Sequence, residues 1–433
     1  MNLHKIAITV LIGCTAFSSV RAEKWSLDSC ISYAINNNID VRRQNLQIKE
    51  GEQSVIEAKD RFLPSAEASA SQNFNFGRGL TAQNTYADRN TSQFGWNAGL
   101  SLPLFQGMTE YRNLKVARLS LNQYLFEHEA AKDNITLNVI AQYLQVLYAK
   151  EVAESAKSQA EFSEFEVTRA KEMIDAGKVA EATLYDLEAT LAQDKLQVLT
   201  ANNEIRIALI NLANLIQLKV ADNFDIAPLE DYNPILPSAE EVIKVASANN
   251  NSILGAREAI KVADARILSA QSGYIPTLRF NAGLGSSYYR LSGFDNDGFR
   301  DQMKHNFSTY LGFSLSIPIF DGFSTRNNIR RAKLQKTTAQ LNLEDREDNL
   351  FKDIRLAYYQ ALGAREKFMA SEETLKKTRL SFDATLERFN LGKATQADYE
   401  QAKTNLFRTE IAGIQARYEY LLRRRILLFY NNP

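Results

Sequence analysis

The chain has 433 residues, 45% hydrophobic and 10% aromatic, and its 51 basic residues are matched by 51 acidic ones. This composition is neither disordered nor that of a basic nucleic-acid binder, and a net charge of zero gives no electrostatic case for DNA, RNA or an anionic membrane surface. Only eight prolines and 19 glycines serve the whole chain, which favours long uninterrupted elements.

The N-terminus reads as an export signal over residues 1–22: Lys5, an apolar run from Ile6 to Phe17, then "VRA" before Glu23. A second reading stays open, because "LIGC" at residues 11–14 fits a lipobox, which would make Cys14 the acylated first residue. The apolar run continues past Cys14 and favours ordinary cleavage; both readings take the protein out of the cytoplasm. Cys30 then has no sure partner for an intrachain disulfide, and its place on an apolar helix face predicts a small buried residue. No later stretch of 18 residues is apolar enough for a membrane helix.

The mature chain is written twice. "YAINNNIDV" (33–41) matches "VASANNNSI" (245–253), and Pro64 matches Pro276, both 212 positions apart. "LPLFQG" (102–107) matches "IPIFDG" (317–322), and "AGKVAEATL" (176–184) matches "LGKATQADY" (391–399), both 215 apart. The first repeat is assigned to residues 23–226, the proline-bearing stretch 227–237 to a linker, and the second repeat to 238–433. In chain order the first half predicts helices over roughly 27–62, 106–175 and 181–224, and the second over 238–272, 322–390 and 396–429. The longest would each span on the order of 100 Å. Leu114, Ala117, Leu121 and Tyr124, and Ile329, Ala332, Ala339, Leu343 and Leu350, recur at heptad spacing. Polar residues such as Lys336 and Arg346 interrupt the second seam, which suits helices with neighbours on two sides.

Between the helices the period changes to two. Strands are predicted at about 65–77, 92–104, 277–288 and 307–319. In the second, Phe94, Trp96, Ala98, Leu100 and Leu102 alternate with Gln93, Gly95, Asn97, Gly99 and Ser101. One face of each strand is apolar and the other rich in Gly, Ser and Asn, at a length that crosses a bilayer when tilted. Sheet edges cannot stay unpaired in a bilayer, so a chain with four such strands must oligomerise. Two copies would give a filled eight-stranded barrel, and three a twelve-stranded one with a lumen. Pro103 with Gly107, and Pro318 with Gly322, would then mark the two junctions where membrane strand becomes helix.

On these duplicated junctions and on "AGKVAEATLYDLEATLAQ" and "RFNLGKATQADYEQAKTNL", the chain from Trp25 to about Tyr430 resembles the TolC-like outer membrane efflux protein family. The resemblance implies a mixed α and β membrane protein: a homotrimer with a 12-stranded antiparallel β-barrel, four strands per chain, continuous with a long α-helical coiled-coil barrel. It implies an outer-membrane location in a Gram-negative bacterium, with the helical barrel in the periplasm. It further implies a passive exit duct for drugs or other small molecules, docked to a periplasmic adaptor and an inner-membrane pump. The same family includes ducts for type I protein secretion, which is the alternative cargo.

Gly177 and Gly392 read as helix-ending turns at the tips, and Thr395 with Asp398 as a cap for the next helix. The family pattern implies that Asp398 also faces the pore, three copies forming a carboxylate ring at the periplasmic mouth. Gln401 stands where a second acidic ring occurs in the pattern, and Thr183 takes the place of Asp398 in the first half. Phe389 and Ala394 replace the polar residues that close some members, which leaves Arg388 and Asp186 as latch candidates. The tip with Gly177, Gly392 and Thr395 is the adaptor-docking region the resemblance implies.

No catalytic constellation appears: His4, His128 and His305 have no cysteine or carboxylate at ligand spacing, and "GRG" at 77–79 lacks the rest of a nucleotide fingerprint. The expectation is a non-enzyme without cofactor, metal or nucleic-acid partner, in contact with outer-membrane lipid. The reading from a different class is a non-conducting coiled-coil surface protein. Five methionines supply no Met-rich relay for copper or silver.

Overall fold

A computed structural model describes residues 24–80, 84–177, 179–219, 224–229 and 235–431. The export signal and Cys14 lie outside the described residues, as do residues 230–234 of the predicted linker. Two compact units share the chain. One draws on Met1–Asn38, Ile135–Leu236 and Tyr359–Ile426, and the other on Ile39–Asn134, Pro237–Tyr358 and Leu427–Pro433. Neither coincides with a sequence repeat, since each takes segments from both halves.

The second unit holds the sheet. β1 (Ser65–Asn75), β4 (Thr91–Gln106), β5 (Thr277–Leu291) and β6 (Ser308–Ser316) pair antiparallel in the order β1-β4-β5-β6. A small hairpin, β2 (Arg78–Leu80) and β3 (Tyr86–Asp88), fills the first outer loop. β6 stops short of the predicted residue 319, two residues before Pro318, which has no N–H to give to a ladder. β4 instead continues through Pro103, and its pairing with β5 bulges immediately beyond, between Pro103 and Phe105.

The same unit holds α2 (Ile39–Asp60), the start of α3 (Thr109–Asp175), α5 (Ala239–Asn249), α6 (Asn251–Gln271) and the start of α8 (Ser324–Asn390). Gly51 brings α2 close to α3: a Cβ there would sit 2.9 Å from the Tyr124 ring. α6 is bonded on both sides. Arg112 of α3 donates to Leu268 O at 2.6 Å, and Ser269 bonds Asn113 at 2.6 Å. On α8, Lys336 pairs with Asp264 at 2.8 Å, Arg346 donates to Ser252 at 3.2 Å, and Glu347 pairs with Arg257 at 3.2 Å. The polar interruptions in the α8 seam are thus the residues that face α6.

The first unit contains α1 (Leu27–Asn37), the rest of α3, α4 (Glu181–Leu215), the rest of α8, and α9 (Gln396–Asn431) up to Ile426. α3 and α4 meet along small residues, with Ala153, Ala156 and Ala201 in one cluster and Val167, Ala170 and Leu187 in another. α8 and α9 meet through Ala364, Phe368, Ala416 and Tyr420, the two rings stacked at 6.1 Å. Alanine at such positions lets helix axes approach and interlock over a long seam. Trp25 forms a parallel bridge with Ile226, and the buried Tyr143 donates to the carbonyls of Trp25 and Ala227.

The first helix of each repeat is not continuous, contrary to the sequence expectation. It breaks at Asn38 and Asn250, which are equivalent positions, both with extended backbone. Asn250 accepts from the amides of Ser252 and Ile253 and starts α6, while Asn38 donates to Leu215 O. An asparagine that caps a new helix competes with continuing the old one.

Candidate channel wall and helical tips

The sheet separates its side chains as a membrane wall requires. Apolar residues line one face, where Phe280 packs on Phe313 at 5.3 Å and Leu311, Phe313 and Leu315 are more than 60% exposed. The other face is small and polar and bonds across strands, Ser69 to Asn97 at 2.5 Å and Ser101 to Asn281 at 3.1 Å. Among the described residues nothing pairs with either outer edge, the far side of β1 or of β6. Among the described residues no helix is long and apolar enough to cross a membrane.

At the two junctions the chain turns by the same step, a glycine and the residue after it both left-handed. Gly107 and Met108 have φ of +60° and +64°, and Gly322 and Phe323 +64° and +65°. Their surroundings differ. A Cβ on Gly107 would meet Ile275 O at 2.9 Å, whereas one on Gly322 would meet nothing within 4 Å. The Arg326 guanidinium lies 4.0 Å above the Phe323 ring, and Asp321 accepts from Thr325 N at 2.7 Å, starting the long helix. Those bonds, the Thr325 hydroxyl's first, hold the Asp321 carboxyl below its usual range.

At the tips Gly177 and Gly392 both adopt φ +69° in open surroundings, closing the α3–α4 and α8–α9 turns. Thr395 and Asp398 cap α9 reciprocally. The Asp398 Oδ2 accepts from Thr395 N at 3.0 Å and Thr395 Oγ1 at 2.7 Å, while Asp398 N donates to Thr395 Oγ1 at 3.1 Å. These bonds, the threonine hydroxyl's first, lower the Asp398 pKa. The first tip lacks this cap, because Ala180 stands at the equivalent place with no side-chain bond. Thr183 there is half-buried, while Asp186, Asp398 and Gln401 are exposed. Gln401 donates to Asn405 at 3.1 Å, and Arg388 reaches back to Lys393 O at 3.4 Å.

Behind the tip lies a polar cluster that sequence reasoning missed. Lys403, its side chain 3% exposed, pairs with Glu166 at 2.7 Å and donates to Ser163 at 2.8 Å; Ser163 in turn donates to Asp194 at 2.5 Å. The ammonium sits 5.1 Å from the Phe162 ring. Next to it the buried Tyr399 stacks on Phe389 at 4.9 Å, and burial raises the pKa of Glu400, with Glu166 and Asp194 adding to the shift against Lys403. Arg169 donates to Asn390 at 3.1 Å. Together these contacts tie the α3–α4 pair to the α8–α9 pair. A buried lysine carries no signature in sequence, since its partners lie 237 and 240 residues away.

A sheet with one lipid-type face, passing at two like junctions into 67-residue helices, defines an outer-membrane channel subunit. The family model described as "Outer membrane efflux protein" matches residues 30–216 and 242–429, one match per repeat, and the chain belongs to that family. Outer membrane efflux protein BepC of Brucella suis is 22% identical over 423 residues, covering 98% of this chain and 89% of that protein. Outer membrane protein TolC of Escherichia coli is 23% identical over 431 residues, covering 96% and 84%. A crystal structure of CusC superposes with a TM-score of 0.76 at 15% identity, over 94% of this chain and 91% of that one.

Proposed function

We propose that three copies of this chain form a passive exit duct through the outer membrane, receiving small molecules from a periplasmic adaptor and an inner-membrane pump. The observation that carries this is a four-stranded sheet with both edges open and its two faces sorted into apolar and small-polar. Such edges are intolerable in lipid until a neighbour pairs them, and twelve strands are the smallest set of fours that encloses a lumen. The proposal includes removal of residues 1–22 on export, the linker at 227–237 between repeats, and the paired tips as the adaptor's docking surface.

The proposed mouth is a ring of three Asp398 carboxylates, with Gln401, Thr183 and Asp186 beside it. Converging like charges favour cations and raise the apparent pKa of the set, opposing the lowering that the Thr395 cap gives within one chain. Conductance of the purified protein in planar bilayers, with its mass measured in the same preparation, tests the reading. A trimer with small cation-selective openings, made less selective by Asp398→Ala, is expected. A monomer, or an oligomer silent even after Asp398→Ala, overturns the duct.

A further inference from the structure

The outer end of the sheet, away from the helices, is finished unevenly. β5 runs to Leu291, but β6 begins only at Ser308, opposite Gly285, so Ser286 to Leu291 have no strand on that edge. Side-chain amides from the segment between the strands take its place. Gln302 accepts from Tyr289 N at 3.0 Å and donates to Tyr289 O at 2.9 Å; Asn296 does the same for Leu291, both at 2.9 Å; Asn306 donates to Ser287 O at 2.7 Å. This lays the short helix α7 (Phe299–His305) along the edge. Phe299 rests on Phe94 and Tyr288 at 5.8 and 5.1 Å, and Phe307 lies 6.4 Å from Trp96, all on the apolar face. Phe299 and Phe307 still expose 52% and 51% of their surface. At the same end of the opposite edge, Phe74 and Phe76 expose 61% and 80%.

The register says what these two aromatic edges meet. Ser69, Asn97, Gly285 and Ser308 form one row across the sheet. In a barrel with strands tilted by about 40°, four strand spacings of about 4.8 Å displace that row by about 16 Å, or roughly five residues. Displaced outward by the even number of residues that keeps each face on its own side, Ser308 arrives beside Asn73 or Asn75 of the next copy. This brings Phe307 level with Phe74 or Phe76, and β6 then runs alongside that copy's β1. Displaced the other way, β6 would lie alongside residues of roughly 56–64, which are the end of α2 and its exit turn and offer no strand. Only the outward displacement closes the ring.

We propose that α7 is a clasp between subunits: Phe299 and Phe307 pack on Phe74 and Phe76 of the next copy, sealing the outer rim of the seam where strand pairing ends. This rests on the three-copy reading, and its test separates the two. The full-length chain carrying Phe76→Cys and Phe307→Cys, with native Cys30 retained, is oxidised in outer membranes and run on a non-reducing gel, with each single variant as control. The mass of the unmodified protein is measured in parallel. A ladder of two- and three-chain bands from the double variant alone is expected. A trimeric mass without the ladder, or a disulfide confined within one chain, overturns the clasp and leaves the duct standing; a monomeric mass overturns both. As a second readout, Phe74→Ser with Phe76→Ser should lower the temperature at which the detergent-solubilised trimer dissociates. An unchanged temperature would mean that these rings touch only lipid, and the clasp fails.

Discussion

Replacing Lys403 by methionine should loosen the two helix pairs from each other near the tip. The side chain is 3% exposed and that of its partner Glu166 13%, so solvent screening relieves little of the change. Removing one member of a buried pair typically costs about 3–5 kcal/mol, because the other charge remains buried without compensation. Here the loss would be compounded: Asp194 and Glu400 stand close to Glu166, and Lys403 is the cation among them. The natural assay is amide hydrogen exchange over residues 160–170 and 396–408. A loss of about 3 kcal/mol in local opening free energy speeds exchange there by about 100-fold. The strand amides should not change. Lys403→Met combined with Glu166→Met removes both charges and fills the space with apolar atoms, and should recover most of the protection. If the single variant exchanges like the native chain, or the double variant is as loose as the single, the cluster does not hold the helix pairs together.

Glu400 tests the sign of the same electrostatics. Its pKa is raised by burial, then by Glu166 and Asp194 against Lys403, so it favours the folded state most when protonated and opposes it as pH rises through the folded value. Glu400→Gln should therefore increase protection of α9 at pH 7 and flatten its dependence on pH toward the acid side. The two junctions separate strain from crowding. Gly322→Ala should cost about 1–2 kcal/mol from its left-handed backbone alone, whereas Gly107→Ala should cost more, because its Cβ would meet Ile275 O at 2.9 Å. Thermal dissociation of the solubilised protein would rank them, and equal losses would contradict the crowding argument. Gly392→Val has open space but φ +69°, so it should leave assembly intact while distorting the tip and impairing efflux in cells.

What was legible in the sequence was what repeats or acts locally. The strand faces were readable because alternation at Phe94, Trp96, Ala98 and Leu100 is a property of consecutive residues, and the long helices because heptad seams run through many turns. The Thr395–Asp398 cap was readable for the same reason, since both partners lie within one turn. The breaks at Asn38 and Asn250 were hidden because the apolar period resumes on either side, and only the capping geometry shows that a new helix has begun. Lys403 was hidden because its partners arrive from the other repeat, and an isolated lysine on a polar helix defaults to solvent.

The junctions lie between these cases. The sequence marked Gly107 and Gly322, but the left-handed step also includes Met108 and Phe323, bulky residues that carry no signal for that conformation. The two share φ within a degree and no side-chain chemistry, so the turn must be imposed by its ends, a strand closing above and a long helix starting below. Phe323 packs against Arg326 and Phe320, while at the first junction Gly107 stands against the Ile275 carbonyl. The repeated phrase thus preserves the left-handed step at its end rather than a set of contacts.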